Sequence, residues 1–90
     1  MDQNIMINTP VLRQLIRVGK AGTLVAKGIP GGFLLLSREG VDEQFVEAQR
    51  GHARKFKRLD SVASYLMGLG AHEFRVETEQ WRHKTLDTKS

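Results

Sequence analysis

Between Arg54 and Val76 the spacing of apolar residues switches from the period of a strand to that of a helix and back again. Arg54-Lys55-Phe56-Lys57-Arg58 alternates, with Phe56 as the one apolar anchor among charges, as in a strand with a wet face. Val62, Ala63, Leu66 and Leu69 then recur at three- and four-residue steps with Tyr65 and Met67 flanking them, which is the stripe of an amphipathic helix. Asp60 stands where an N-cap is needed, because its carboxylate can accept from the unpaired N–H groups of the first turn. Gly68 and Gly70 mark the stop, and Gly70 suits the left-handed position just past a helix. In His72–Glu77 the apolar Phe74 and Val76 alternate with polar residues, so both are expected to face inward from a second strand. A striped helix between two half-buried strands needs a sheet to cover, and the stretch therefore predicts a compact α+β domain.

Ninety residues supply one core and no second one. With 40% hydrophobic and 27% charged residues, the chain has enough apolar surface to fold. Cysteine is absent, which excludes a disulfide framework and a thiolate metal site and fits a reducing compartment. No apolar run approaches the ~20 residues that span a bilayer, and MDQNIMINTP lacks the basic flank and long apolar segment of a secretory signal. The expected location is the cytoplasm, with no membrane partner. A formal net charge of +4 favours acidic partners through long-range attraction.

In chain order, Ile5 and Ile7 show little periodicity and the N-terminus is expected to fray. Asn8-Thr9-Pro10 reads as a cap followed by a proline at the first helical position. Val11, Leu12, Leu15 and Ile16 form the stripe of a helix that ends near Gly19, with Lys20 at the negative end of its dipole. Thr23–Lys27 and Phe33–Arg38 read as a strand pair joined by the turn Gly28-Ile29-Pro30-Gly31-Gly32. Gln44–Arg50 reads as a third strand, followed by a Gly51-His52 turn and the basic strand. The predicted order is α-β-β-β-β-α-β: an antiparallel sheet of four to five strands packed against two helices, residues 1–78, with a basic, flexible tail over 79–90. Trp81 is the exception in that tail, too large to leave wet, and is expected to dock on the sheet or a partner. Phe33-Leu34-Leu35-Leu36 is apolar on both strand faces, which predicts cover on both sides and makes a homodimer an expected way to supply it.

The sharpest chemical feature is the run Arg50, His52, Arg54, Lys55, Lys57 and Arg58, with Phe56 interleaved. Clustered cations neutralise phosphates and release counterions, and an exposed aromatic among them can stack on a base. Alternation puts Arg54, Phe56 and Arg58 on one strand face and Lys55 and Lys57 on the other, so the six cannot form one patch. Lys55 and Lys57 fit the charges that protect an edge strand, and Arg50, His52 and Arg54 near the turn are the better contact candidates.

No catalytic, cofactor-binding or metal-ligating set is read. The glycine-rich turn lacks the Lys-Ser/Thr ending of a phosphate loop and leads into a strand. His52, His72 and His83 lie too far apart to share a helix face as ligands. Glu39, Asp42, Glu43 and Glu47 are of a type that could serve acid–base chemistry or a cation, but they read as solvated charges able to pair with the basic strand. No nucleophile and base can be paired, so the chain is expected not to be an enzyme.

Four segments carry a family resemblance: Gly31-Gly32-Phe33-Leu34-Leu35-Leu36; Ala48-Gln49-Arg50-Gly51; Arg54 through Leu66; and Leu69-Gly70-Ala71-His72-Glu73-Phe74-Arg75-Val76. The chain resembles the small ParC-type partition-associated proteins of bacterial plasmids and integrative elements. They share a leading helix, a glycine-glycine-aromatic hairpin, an Arg-x-Phe-x-x-Leu-Asp junction from strand to helix, and a closing Leu-Gly-x-x-x-Phe-x-Val strand. The resemblance implies a non-enzymatic accessory role in the stable inheritance of a mobile element, beside a partition protein that is an ATPase or a DNA-binding component; the charge of the basic edge adds DNA as a further expected partner. It implies no catalytic residue and no cofactor. The basic tail around Trp81 departs from the shared pattern. A second reading is a regulatory or inhibitory module that binds another protein of the element.

Overall fold

The computed structural model describes residues 5–49 and 51–82. Nine elements follow in order: β1 (Ile5–Ile7), α1 (Thr9–Arg17), β2 (Thr23–Ile29), β3 (Gly32–Glu39), β4 (Asp42–Gln49), β5 (His52–Ala53), β6 (Lys55–Phe56), α2 (Leu59–Gly68) and β7 (Arg75–Glu77). The domain is α+β, with two helices on one sheet.

The sheet runs β1-β4-β3-β2-β7, with β5 paired to β4 and β6 to β3. Its centre, β2–β3–β4, is antiparallel as the turns predict. The edges differ from the expectation: β1 pairs parallel with β4, and β7 pairs parallel with β2, so the sheet is mixed. Ile7 is held by this pairing and is buried, where the sequence predicted fraying. β4 pairs with β3 only over Leu36–Glu39, and β6 takes its place beside Phe33 and Leu34. Of the expected basic strand Arg54–Arg58 only Lys55–Phe56 forms, as β6, and a second short strand, β5, lies at His52–Ala53 beside the turn read at Gly51-His52. The two are separated at Arg54, whose backbone N–H turns away to donate to the Val46 carbonyl at 2.7 Å.

Cross-strand partners share a sheet face. Leu24, Ala26, Phe33, Leu35, Val46, Phe56 and Ile7 face the helices and meet Leu12 of α1 and Val62 and Leu66 of α2 in one core. Asn8 caps α1 by accepting from the Val11 N–H at 2.9 Å, and Pro10 sits in the first turn, as read. Val11 departs from the predicted stripe and is exposed, leaving Leu12, Leu15 and Ile16 as the packed side. α2 starts two residues early: Arg58 is the N-cap, with extended backbone, and Asp60 lies within the first turn. There its carboxylate still favours the positive helix end. Met67, expected at the edge of the stripe, stands 69% exposed. Gly70 takes φ +97°, the predicted left-handed stop. The Thr9 hydroxyl and the Tyr65 phenol hydrogen-bond at 2.6 Å and tie the two helices together.

The helix-free face carries the row Met6, Phe45, Leu36, Val25 and Arg75. Leu36 and Val25 are fully buried, and no second protein layer is needed to cover them. Part of the cover is an ion cluster. Arg38, one pair along, donates to its neighbour Glu43 at 2.7 Å and to Glu77 of β7 at 2.6 Å, so its guanidinium reaches diagonally across the Val25 row and ties three strands. Among the described residues the acidic group forms no ion pair with the basic strand. Glu43 serves Arg38, and Glu47 accepts from the Gly51 N–H at 3.0 Å. Since Leu36 is covered within one chain, the apolar strand that motivated a homodimer gives it no support.

Val76 shares the face of Ala26 but is 41% exposed, because β7 is the edge strand and lies beyond the helices. Trp81 does dock on the sheet: its ring stacks on Phe33 with centroids 6.2 Å apart and planes 12° from parallel. The Gly31 N–H donates to the Arg82 carbonyl at 2.9 Å. Residues 79–82, read as the start of a flexible tail, are thus held against the β2–β3 turn. His83 and the rest of the predicted tail lie outside the described residues, as does Arg50.

Candidate functional site

The six cations singled out in the sequence meet different fates. Arg54 is half-buried. Its guanidinium lies over the Tyr65 ring, 4.9 Å from the centroid, and its Nε is buried without a hydrogen-bond partner. Tyr65 is itself held by a tilted contact with Phe56, centroids 5.5 Å apart. Arg54 is thereby spent on packing, as a cation over an aromatic face. Arg58 is exposed but chelated by Asp60, with Nε–Oδ1 at 3.0 Å and Nη2–Oδ2 at 3.1 Å. Hydrogen bonds from Arg58 hold the Asp60 carboxyl below its usual range, and Asp60 raises Arg58 in return. His52 is exposed on β5.

Lys55 and Lys57 are both exposed, and neither forms an ion pair among the described residues. They flank the buried Phe56 because alternation points them away from the core. Of the three cations preferred from the sequence, Arg54 is engaged by Tyr65, His52 is exposed and Arg50 lies outside the described residues, while the two lysines assigned to edge protection are exposed as well.

One contributor was missed. Arg82 is exposed, and its backbone is bound to the β2–β3 turn. The same turn lies against β6: the Lys55 Nζ is 3.8 Å from where a side chain on Gly31 would begin. Three chain segments, the turn, β6 and the stretch after β7, thus bring Lys55 and Arg82 to one end of the sheet, with Lys57 next along. The sequence signals for this were Trp81, as an anchor, and Gly28. A Cβ on Gly28 would stand 2.5 Å from the Trp81 Cβ, so glycine is what lets the Trp81 segment approach.

Such a cluster of exposed cations at an edge can neutralise phosphates or carboxylates. Phe56 is buried, so the base-stacking aromatic considered in the sequence is not available. Among the described residues no three metal-ligating side chains come together. Among the described residues no helix is long and apolar enough to cross a membrane.

Neither the characterised proteins nor the solved structures compared with the chain include a match. A family model does match, over residues 7–85, which takes in both helices, the strands from β2 to β7, the basic edge and Trp81. On that match, the chain belongs to the ParC-like family.

Proposed function

We propose that this chain is a non-enzymatic accessory protein of plasmid or mobile-element partition, working in the cytoplasm, that binds DNA through the basic edge formed by Lys55, Lys57 and Arg82. Family membership supports the partition role. The observation that carries the surface is the convergence of exposed lysines on β6 with Arg82 at the β2–β3 turn. Lysine suits this task, being a compact charge on a flexible stem that tracks a phosphate backbone without a fixed geometry. A partition protein with an acidic face is the other partner that this edge would accept.

The test is fluorescence anisotropy of a labelled random-sequence duplex across a salt series, with the intact protein and the variant Lys55→Glu/Lys57→Glu. Each phosphate contact contributes about 0.9 to the slope of log K against log salt, so losing two flattens the slope by about 1.8. A folded variant that binds with unchanged affinity and slope would remove the lysines from the site. If the intact protein binds no duplex even at low salt, the edge serves a protein partner.

A further inference from the structure

On the helix layer, away from the lysine edge, the ends of α1 and α2 form a groove of about 590 Å³. α1 lines it with Arg13, Ile16 and Arg17, and the end of α2 lines it with Met67, Gly68 and Leu69. Its chemistry differs from that of the β6 edge. Arg13 and Arg17 are one helical turn apart, both are exposed, and neither has an acidic partner among the described residues. No acidic residue lines the groove, and α1 contains none. Between the arginines and the open Met67 lies an apolar floor of Ile16 and the buried Leu69.

Gly68 gives the second, independent observation. It is the last residue of α2 and its φ is not positive, so the backbone does not require glycine. A Cβ there would meet nothing within 4 Å, so packing does not require it either. Gly70 nearby differs on the first count, since its φ of +97° does call for glycine. Glycine in a helix is unfavourable relative to alanine, and one that the fold does not use leaves space for something to approach the backbone. The negative end of the α2 dipole accounts for a nearby cation. It accounts for neither the empty space over Gly68 nor the exposed Met67.

From these observations we infer that the groove is a protein-docking site, and that its occupant is an acidic segment of a partner protein whose carboxylates meet Arg13 and Arg17 and whose apolar side chain lies over Gly68 against Met67. Arginine and methionine are enriched at protein interfaces and lysine is depleted, which separates this surface from the Lys55–Lys57 edge. The guanidinium fork gives each arginine a two-point grip on a carboxylate. The apolar floor offers nothing to a phosphate backbone, which favours a peptide over nucleic acid. The molecule then carries two dissimilar surfaces. This inference does not depend on the lysine edge binding DNA.

The experiment is selection of phage-displayed random peptides on the immobilised full-length protein, with the enriched sequences synthesised and their binding measured by anisotropy. Enriched peptides should combine carboxylates with an apolar residue. Their affinity should fall about tenfold or more in Arg13→Glu/Arg17→Glu and in Gly68→Met, as when one side of a charge pair or a central contact is lost. Lys55→Glu/Lys57→Glu should leave it essentially unchanged. Gly68→Ala, which keeps the fold, should raise the melting temperature by on the order of 4 °C while weakening peptide binding. Four results would each overturn the inference: no peptide enriched above a bare-support control, enriched peptides without acidic residues, undiminished binding by folded Gly68→Met, or destabilisation by Gly68→Ala. Loss of duplex binding in the arginine variant, with no peptide bound, would assign the groove to nucleic acid instead.

Discussion

Substituting Gly28 with alanine tests whether the segment after β7 belongs to the folded domain. The added Cβ would stand 2.5 Å from the Trp81 Cβ, 2.9 Å from the Glu77 carbonyl oxygen and 3.2 Å from the Trp81 Cα. Ordinary contact between carbons is about 3.5–4.0 Å, so the segment has to retreat by about 1 Å or more. Neither neighbour is the flexible end of a side chain: two of the atoms are backbone and the third is attached to it. The overpacking cost therefore belongs at the upper end of the usual range, about 3 kcal/mol. Gly28 does not have a positive φ, so alanine also gains about 0.4–1 kcal/mol from a less flexible unfolded chain. The net loss is about 2 kcal/mol, which for a domain of this size lowers the melting temperature by roughly 8–16 °C. Trp81 is the only tryptophan in the chain, so its emission reports the same event and should shift to the red as the ring leaves Phe33. Truncating the indole does not relieve the clash, because the atom met is a Cβ that alanine keeps. A Gly28→Ala protein with unchanged emission and a melting temperature within about 2 °C of the parent would refute the docking of this segment.

Leu66→Ala removes a side chain with 1% exposure from the contact between helix and sheet and should cost about 2–5 kcal/mol, measured by urea denaturation. Tyr65→Phe deletes the 2.6 Å bond to Thr9 while keeping the ring beneath Arg54, so a loss of about 0.5–1.5 kcal/mol is expected in the same assay. Stability should also depend on Arg38 in acid. Hydrogen bonds from Arg38 hold the Glu77 carboxyl below its ordinary value of 4.5. The stabilisation is therefore fully present above that value, and it is lost as pH falls through the depressed one. Melting temperatures measured against pH should show this acid-side loss in the parent and a smaller one in Arg38→Met; parallel curves would remove the cluster as its source.

Both helices were legible because each carries a stripe and punctuation: Asn8 and Pro10 before Leu12, and Gly70 after Leu66. The central hairpin was legible from the turn at Gly28–Gly32 between two apolar runs. The parallel edges were not. Three residues such as Ile5–Ile7 are too few for a period to show, and their partner lies some forty positions away at Gln44–Val46. A continuous apolar run correctly announced cover on both faces of β3. That part of the second cover is Arg38 with two glutamates could not be read, since Glu77 comes from a distant strand. At the basic edge, alternation placed Lys55 and Lys57 correctly opposite Phe56. Which cations stay available depends on neighbours: Asp60 two residues along from Arg58 was within reach of a sequence argument, whereas Tyr65 beneath Arg54 needs the fold.

The parallel pairing of β7 with β2 bears on how the molecule is made. Val25 pairs with Arg75 and Lys27 with Glu77, fifty positions later in each case. During synthesis, β2 can form its hairpin with β3 early, but its other side stays open until Arg75–Glu77 has left the ribosome. Contacts this far apart are slow to form, and an unpaired strand edge is a template for aggregation while it waits. The Arg38 guanidinium shares that delay, because one of its two carboxylates arrives on the same late strand. A nascent chain of this protein therefore passes through a period in which its sheet is complete on the β4 side and open on the other, and this interval is when it most needs a chaperone.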